Sequence, residues 1–98
     1  MSVTKRCFSV NIKVEEPKMF NVIMYNDDVT TFDFVEYLLE TIFDKTSEQA
    51  SDLANKINET GRQIVGTYHQ DSAVLRTSEA IRYARSNNFP LKVEVEEA

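Results

Sequence analysis

The spacing of apolar residues divides the chain into segments of two kinds. From Phe20 to Tyr25 a run rich in apolar side chains is cut off by Asn26-Asp27-Asp28, a turn-forming cluster, which predicts a strand. Thr30 followed by Asp33 predicts a helix start resembling a capping box, with Asp in place of the usual Glu or Gln. Phe34, Val35, Leu38, Leu39, Ile42 and Phe43 then recur at helical spacing and form one stripe. Thr46 with Gln49 repeats the start signal, and Ala50, Leu53, Ala54 and Ile57 share one face of a second helix that Gly61 ends. Arg62 to Gln70 mixes β-branched and aromatic residues and predicts a second strand. Asp71 or Ser72 is suited to cap a third helix, in which Val74, Ile81 and Ala84 repeat. That helix is expected to stop near Asn87-Asn88, ahead of Pro90. Leu91, Val93 and Val95 alternate with Lys92, Glu94 and Glu96, which predicts a half-buried strand.

The order β-α-α-β-α-β predicts a single small α+β domain over residues 19–98, with three strands on one side and three helices packed against them. Residues 1–18 differ. Phe8, Val10, Ile12 and Val14 alternate with polar neighbours until Glu15-Glu16-Pro17 interrupts, so this extension reads either as a flexible tail or as a short extra strand.

Composition narrows the function. A chain of 98 residues has room for one modest core. No apolar run approaches the roughly 20 residues of a membrane span. Lys5 and Arg6 are not followed by an apolar stretch, so no secretory signal is expected, and the single Cys7 suits a reducing cytoplasm. The net charge of -5 opposes nucleic-acid binding, which needs a basic face, and suits a partner carrying positive charge. Catalysis is not expected. His69 is the only histidine, Gly61 and Gly66 are the only glycines, and no phosphate loop is present. Asp27, Asp28 and Asp33 lack the other ligands of a calcium loop, so turn and cap roles suit them better, and neither metal nor cofactor is expected.

On local residues alone, Asn26-Asp27-Asp28 before Thr30 is a loop with a helix cap. The segment Phe20 to Asn26, then Asp27-Asp28-Val29-Thr30, then the helix through Phe34-Val35, resembles the signature of the ClpS adaptor family. The likeness continues through Gly61, Val65-Gly66, Tyr83-Ala84-Arg85, Pro90-Leu91 and the closing Val95-Glu96-Glu97-Ala98, and so covers about residues 20–98. It implies a three-stranded antiparallel sheet, a fold shared with the ribosomal stalk protein's C-terminal domain. It also implies an adaptor that binds substrates by a bulky hydrophobic N-terminal residue, an N-degron, and delivers them to a Clp AAA+ unfoldase and protease.

In that resemblance Asn26 would bond the substrate α-amino group and first peptide unit. Asp27 and Asp28 would add negative potential, and Thr30 would help anchor the substrate backbone. Phe32, Val35, Ala54, Ile57 and Leu91 would form the pocket for the first side chain, although periodicity alone assigns most of them equally to the core. The chain departs from the family pattern in three places. Asn58 stands where a histidine usually contacts the α-amino group, Phe32 replaces a rim methionine, and Ala54 replaces a second pocket methionine. Docking on the N-terminal domain of the unfoldase would involve Asp71 and Arg76, with helix capping as a competing role for Asp71. A cytoplasmic monomer is expected. Two other readings stay open: a regulator that docks on the unfoldase without binding N-degrons, and a structural domain of the stalk-protein kind.

Overall fold

The first strand, β1 (Met19–Tyr25), is the middle of a three-stranded sheet and carries the most deeply buried sequence in it. The computed structural model describes residues 17–98, which run β1, α1 (Phe32–Thr41), α2 (Ser47–Thr60), β2 (Arg62–His69), α3 (Gln70–Ser86) and β3 (Val93–Glu97). The predicted element order and single α+β domain are what the chain forms. The alternation at Phe8, Val10, Ile12 and Val14 lies outside the described residues.

Both flanking strands pair antiparallel to β1, giving the order β2-β1-β3. Val22 and Met24 point into the core, where Val93, Leu38, Leu39 and Phe43 meet them. The β1–β2 register slips once: Val22 pairs with Gly66 but Ile23 with Ile64, so Val65 is an extra residue. This bulge turns Val65 inward, buried at 1% exposure, and leaves Ile64 at 48%. At Gly66 a β-carbon would collide with the Tyr68 ring, so the glycine makes room for the aromatic to lie across the strand.

The helices depart from expectation at their starts. Thr31, not Thr30, caps α1, its hydroxyl accepting the Phe34 N–H at 3.2 Å. Thr30 does not serve as the cap, and its hydroxyl is engaged by Asp27 instead. The α2 capping box forms in both directions, Gln49 N–H to Thr46 at 3.1 Å and Thr46 N–H to Gln49 at 3.0 Å. Gly61 ends α2 at φ 91°, a left-handed conformation that suits glycine.

For α3 the expected caps do not form. The helix begins at Gln70 after His69, which makes no side-chain cap bond, and places Asp71 and Ser72 inside the first turn. Asp71 there faces the favourable end of the helix dipole. The inward face of α3 is Ala73, Thr77, Ala80 and Ala84, whereas Val74 is 50% exposed. Small residues let the helix lie close across all three strands, and that stripe carries a weak apolar signal. Arg85 donates to the carbonyls of Phe89 and Leu91, each at 2.9 Å, and so ties down the segment leading to β3. Leu91 is buried but precedes the strand that was expected to include it. Among the described residues no helix is long and apolar enough to cross a membrane.

Candidate functional site

Where β1 gives way to α1, the chain makes a turn held by one carboxylate. Asp27 Oδ1 accepts the N–H groups of Val29 at 2.8 Å and Thr30 at 2.7 Å, and Oδ2 accepts the Thr30 hydroxyl at 2.7 Å. This is why Asp lies at this position: its short side chain folds back on the backbone two and three residues later. The Asn26 N–H bonds the Gly61 carbonyl at 2.8 Å, which fastens the turn to the end of α2. Burial by itself would raise the Asp27 pKa, but the hydrogen bonds from Thr30 and Val29 and the attraction of Arg85 lower it.

Beside this turn is a cavity of about 90 Å³. The turn supplies Asn26, Asp27 and Thr30 to its lining. The first turn of α1 supplies Phe32 and Val35, three residues apart, and α2 supplies Ala54, Ile57 and Asn58 at spacings of three and four. Val35, Ala54 and Ile57 are buried and make an apolar floor, whereas Asn26 and Asn58 are exposed and Phe32 stands at 39% exposure. The cavity therefore combines an acceptor-rich wall with an apolar floor. It is far below the roughly 300–1,000 Å³ of a drug-sized site and has room for about one side chain. No Lys or Arg lines it, which suits a cationic donor such as an ammonium.

The structure thus gathers most of the residues singled out from the sequence and leaves two apart. Asp28 is exposed in the turn and Leu91 is buried in the core, and neither is part of the cavity lining. Among the described residues no cluster of three metal-ligating side chains forms.

Asp71 and Arg76 lie on a different surface, a depression of about 440 Å³ between α1 and α3 that Tyr37, Leu75, Glu79 and Tyr83 also line. It is larger than the cavity at the turn but is an open groove. Arg76 is not free within it. Its guanidinium donates to the Ile42 carbonyl, to Asp44 at 2.9 Å and to Ser72 at 3.0 Å, and stacks over Tyr68 at 4.6 Å. Sequence reasoning passed over Asp44 as this partner, and over Tyr37 and Leu75, which stand 51% and 61% exposed beside the groove. For Tyr37 and Leu75 the available signal was a large apolar side chain lying off the buried face of its helix.

Residues 15–94 match the family model described as ATP-dependent Clp protease adaptor protein ClpS. The ATP-dependent Clp protease adapter protein ClpS of Helicobacter hepaticus is 39% identical over 89 residues, which is 91% of this chain and 90% of that protein. Its counterpart in Campylobacter jejuni is 45% identical over 85 residues, 87% and 88% of the two chains. Among solved structures, Agrobacterium tumefaciens ClpS2 bound to L-phenylalaninamide superposes with a TM-score of 0.81 at 25% identity, covering 85% of this chain and all of that one.

Proposed function

The chain belongs to the ClpS family of ATP-dependent Clp protease adaptor proteins, and from that premise we propose that it captures proteins by a bulky hydrophobic N-terminal residue at the cavity beside Asn26. The observation that carries this reading is the pairing of an acceptor-rich wall with a one-side-chain apolar floor. An α-ammonium offers donors only, so it is held by acceptors such as the Asn26 and Asn58 side-chain oxygens. Its charge is favoured by the negative potential of Asp27 and, from the exposed part of the turn, Asp28. The first side chain leaves water against Val35, Ala54 and Ile57, with Phe32 at the rim. Agrobacterium tumefaciens ClpS2, in its complex, holds a ligand with these two features, a free amino group beside a benzyl side chain.

Delivery then needs a second surface. The groove between α1 and α3 suits docking on the N-terminal domain of the Clp unfoldase, with Asp71 and the exposed Leu75 and Tyr37 as contacts. Arg76 is better read as the brace of that surface than as a free contact.

Titration with labelled peptides that differ only in their first residue tests capture. Peptides beginning with Phe, Trp or Leu should bind, and N-acetylation should abolish binding. Equal binding of the acetylated and free peptides refutes capture and leaves the regulator that docks without N-degrons.

A further inference from the structure

Resting on that reading, we infer that Asp27 is a positioning residue: it fixes the polarity of the Thr30 hydroxyl, so that Thr30 offers the cavity an acceptor and never a donor. Asp27 Oδ2 lies 2.7 Å from Thr30 Oγ1. An ionised carboxylate has no proton to give, so the hydroxyl is the donor in this bond. A hydroxyl carries one proton. With that proton committed to Asp27, only lone pairs remain on the Thr30 oxygen, and Thr30 lines the cavity. The N–H groups of Val29 and Thr30 are bound to Asp27 Oδ1 as well, so neither of these two is left for a ligand.

At Thr30 the cavity thereby sorts ligands by the kind of hydrogen bond they bring. A group rich in protons, such as an ammonium, meets an oxygen that accepts. A group that must be donated to, such as an acyl carbonyl at the same place, meets oxygen lone pairs and is repelled. Asp27 is the source of this preference without having to touch the ligand, because three of its roughly four acceptor sites are already filled.

The chemistry of one substitution separates this from a simple charge effect. In Asp27→Asn the amide oxygen can still accept both N–H groups and keep the turn. The amide nitrogen then faces Thr30 as a donor, the bond reverses, and the Thr30 proton turns toward the cavity. The probes are two labelled peptides identical except at the first residue, Phe in one and its α-hydroxy analogue in the other. The reading is the ratio of their affinities, with the melting temperature as a control on folding.

Wild-type protein should favour the ammonium, and Thr30→Ser should keep the ratio. Thr30→Val and Asp27→Asn should each lower it about tenfold, the scale of one charge-assisted hydrogen bond. In the Thr30→Val background, Asp27→Asn should add little, because its effect runs through the hydroxyl. If Asp27→Asn lowers the ratio equally in both backgrounds, Asp27 acts through its charge and the inference falls while capture stands. If Asp27→Asn does not fold, the Thr30 pair decides: an unchanged ratio in Thr30→Val overturns the inference. If wild-type protein shows no preference for the free amine, the capture reading fails and takes this one with it.

Discussion

Replacing Ala54 by methionine should close the proposed pocket from its floor. Ala54 is buried at 3% exposure on the face of α2 that lines the cavity, and α2 is held at both ends by its capping box and Gly61. The substitution adds three heavy atoms. They enter a cavity of about 90 Å³ from its floor, where little depth is left beneath a first side chain. A Phe side chain excluded from the floor forgoes the roughly 1.5–3 kcal/mol that full burial supplies, which corresponds to about a tenfold to hundredfold loss of affinity. A Leu-initiated peptide should lose less, because it needs less depth, so the preference shifts toward smaller first residues. Fluorescence anisotropy with Phe-, Trp- and Leu-initiated peptides reads the effect, and a melting curve shows whether the core tolerates the change. Undiminished binding of the Phe peptide by a folded Ala54→Met protein would show that the first side chain goes elsewhere.

Other expectations follow from single contacts. Arg76→Glu removes donors from the Ile42 carbonyl and sets a carboxylate against Asp44; thermal denaturation should show a loss of about 1–3 kcal/mol, so Asp71→Lys is the cleaner probe of docking. Asn58 does not titrate, so peptide affinity should stay flat from about pH 7 to pH 5, whereas Asn58→His should introduce a fall below about pH 6.5. The lowered pKa of Asp27 means that its contribution to stability is present above the usual carboxylate value of about 3.9 and is lost as pH falls through the lower folded value. Acid unfolding of Asp27→Asn should therefore lack that component. Gly61→Ala forces a side chain into φ 91° and should cost about 1 kcal/mol, visible as a lower melting temperature.

The order of elements was legible because apolar spacing follows the period of each element, and α2 was legible to its ends because it opens on a side-chain capping box and closes on a left-handed glycine, both strong sequence signals. The start of α1 was displaced by one residue since Thr30 and Thr31 are chemically alike, and only the bond to Asp27 decides between them. The inward face of α3 was hidden for a different reason: alanines pack it, while Val74 and Leu75 point outward and dominate the hydrophobic pattern. The cavity residues were found through the resemblance to the ClpS family, because periodicity does not distinguish a floor residue such as Ile57 from core. The brace formed by Arg76 joins residues more than thirty positions apart, a pairing that no local pattern encodes.

The bulge at Val65 bears on how the sheet avoids pairing with other chains. A protein whose partners arrive as extended polypeptide is exposed to segments ready to join any available strand. Among the described residues the two outer strands are each a poor template. On β2 the irregular register at Val65 breaks the even row of backbone groups that an incoming segment would need. On β3 the side chains of Glu94, Glu96 and Glu97 crowd negative charge into a five-residue strand, and a stranger pairing there would have to compensate it. The sheet is thus closed to growth at its margins by a kink on one side and charge on the other, which leaves the turn after β1 free for the attachment proposed there.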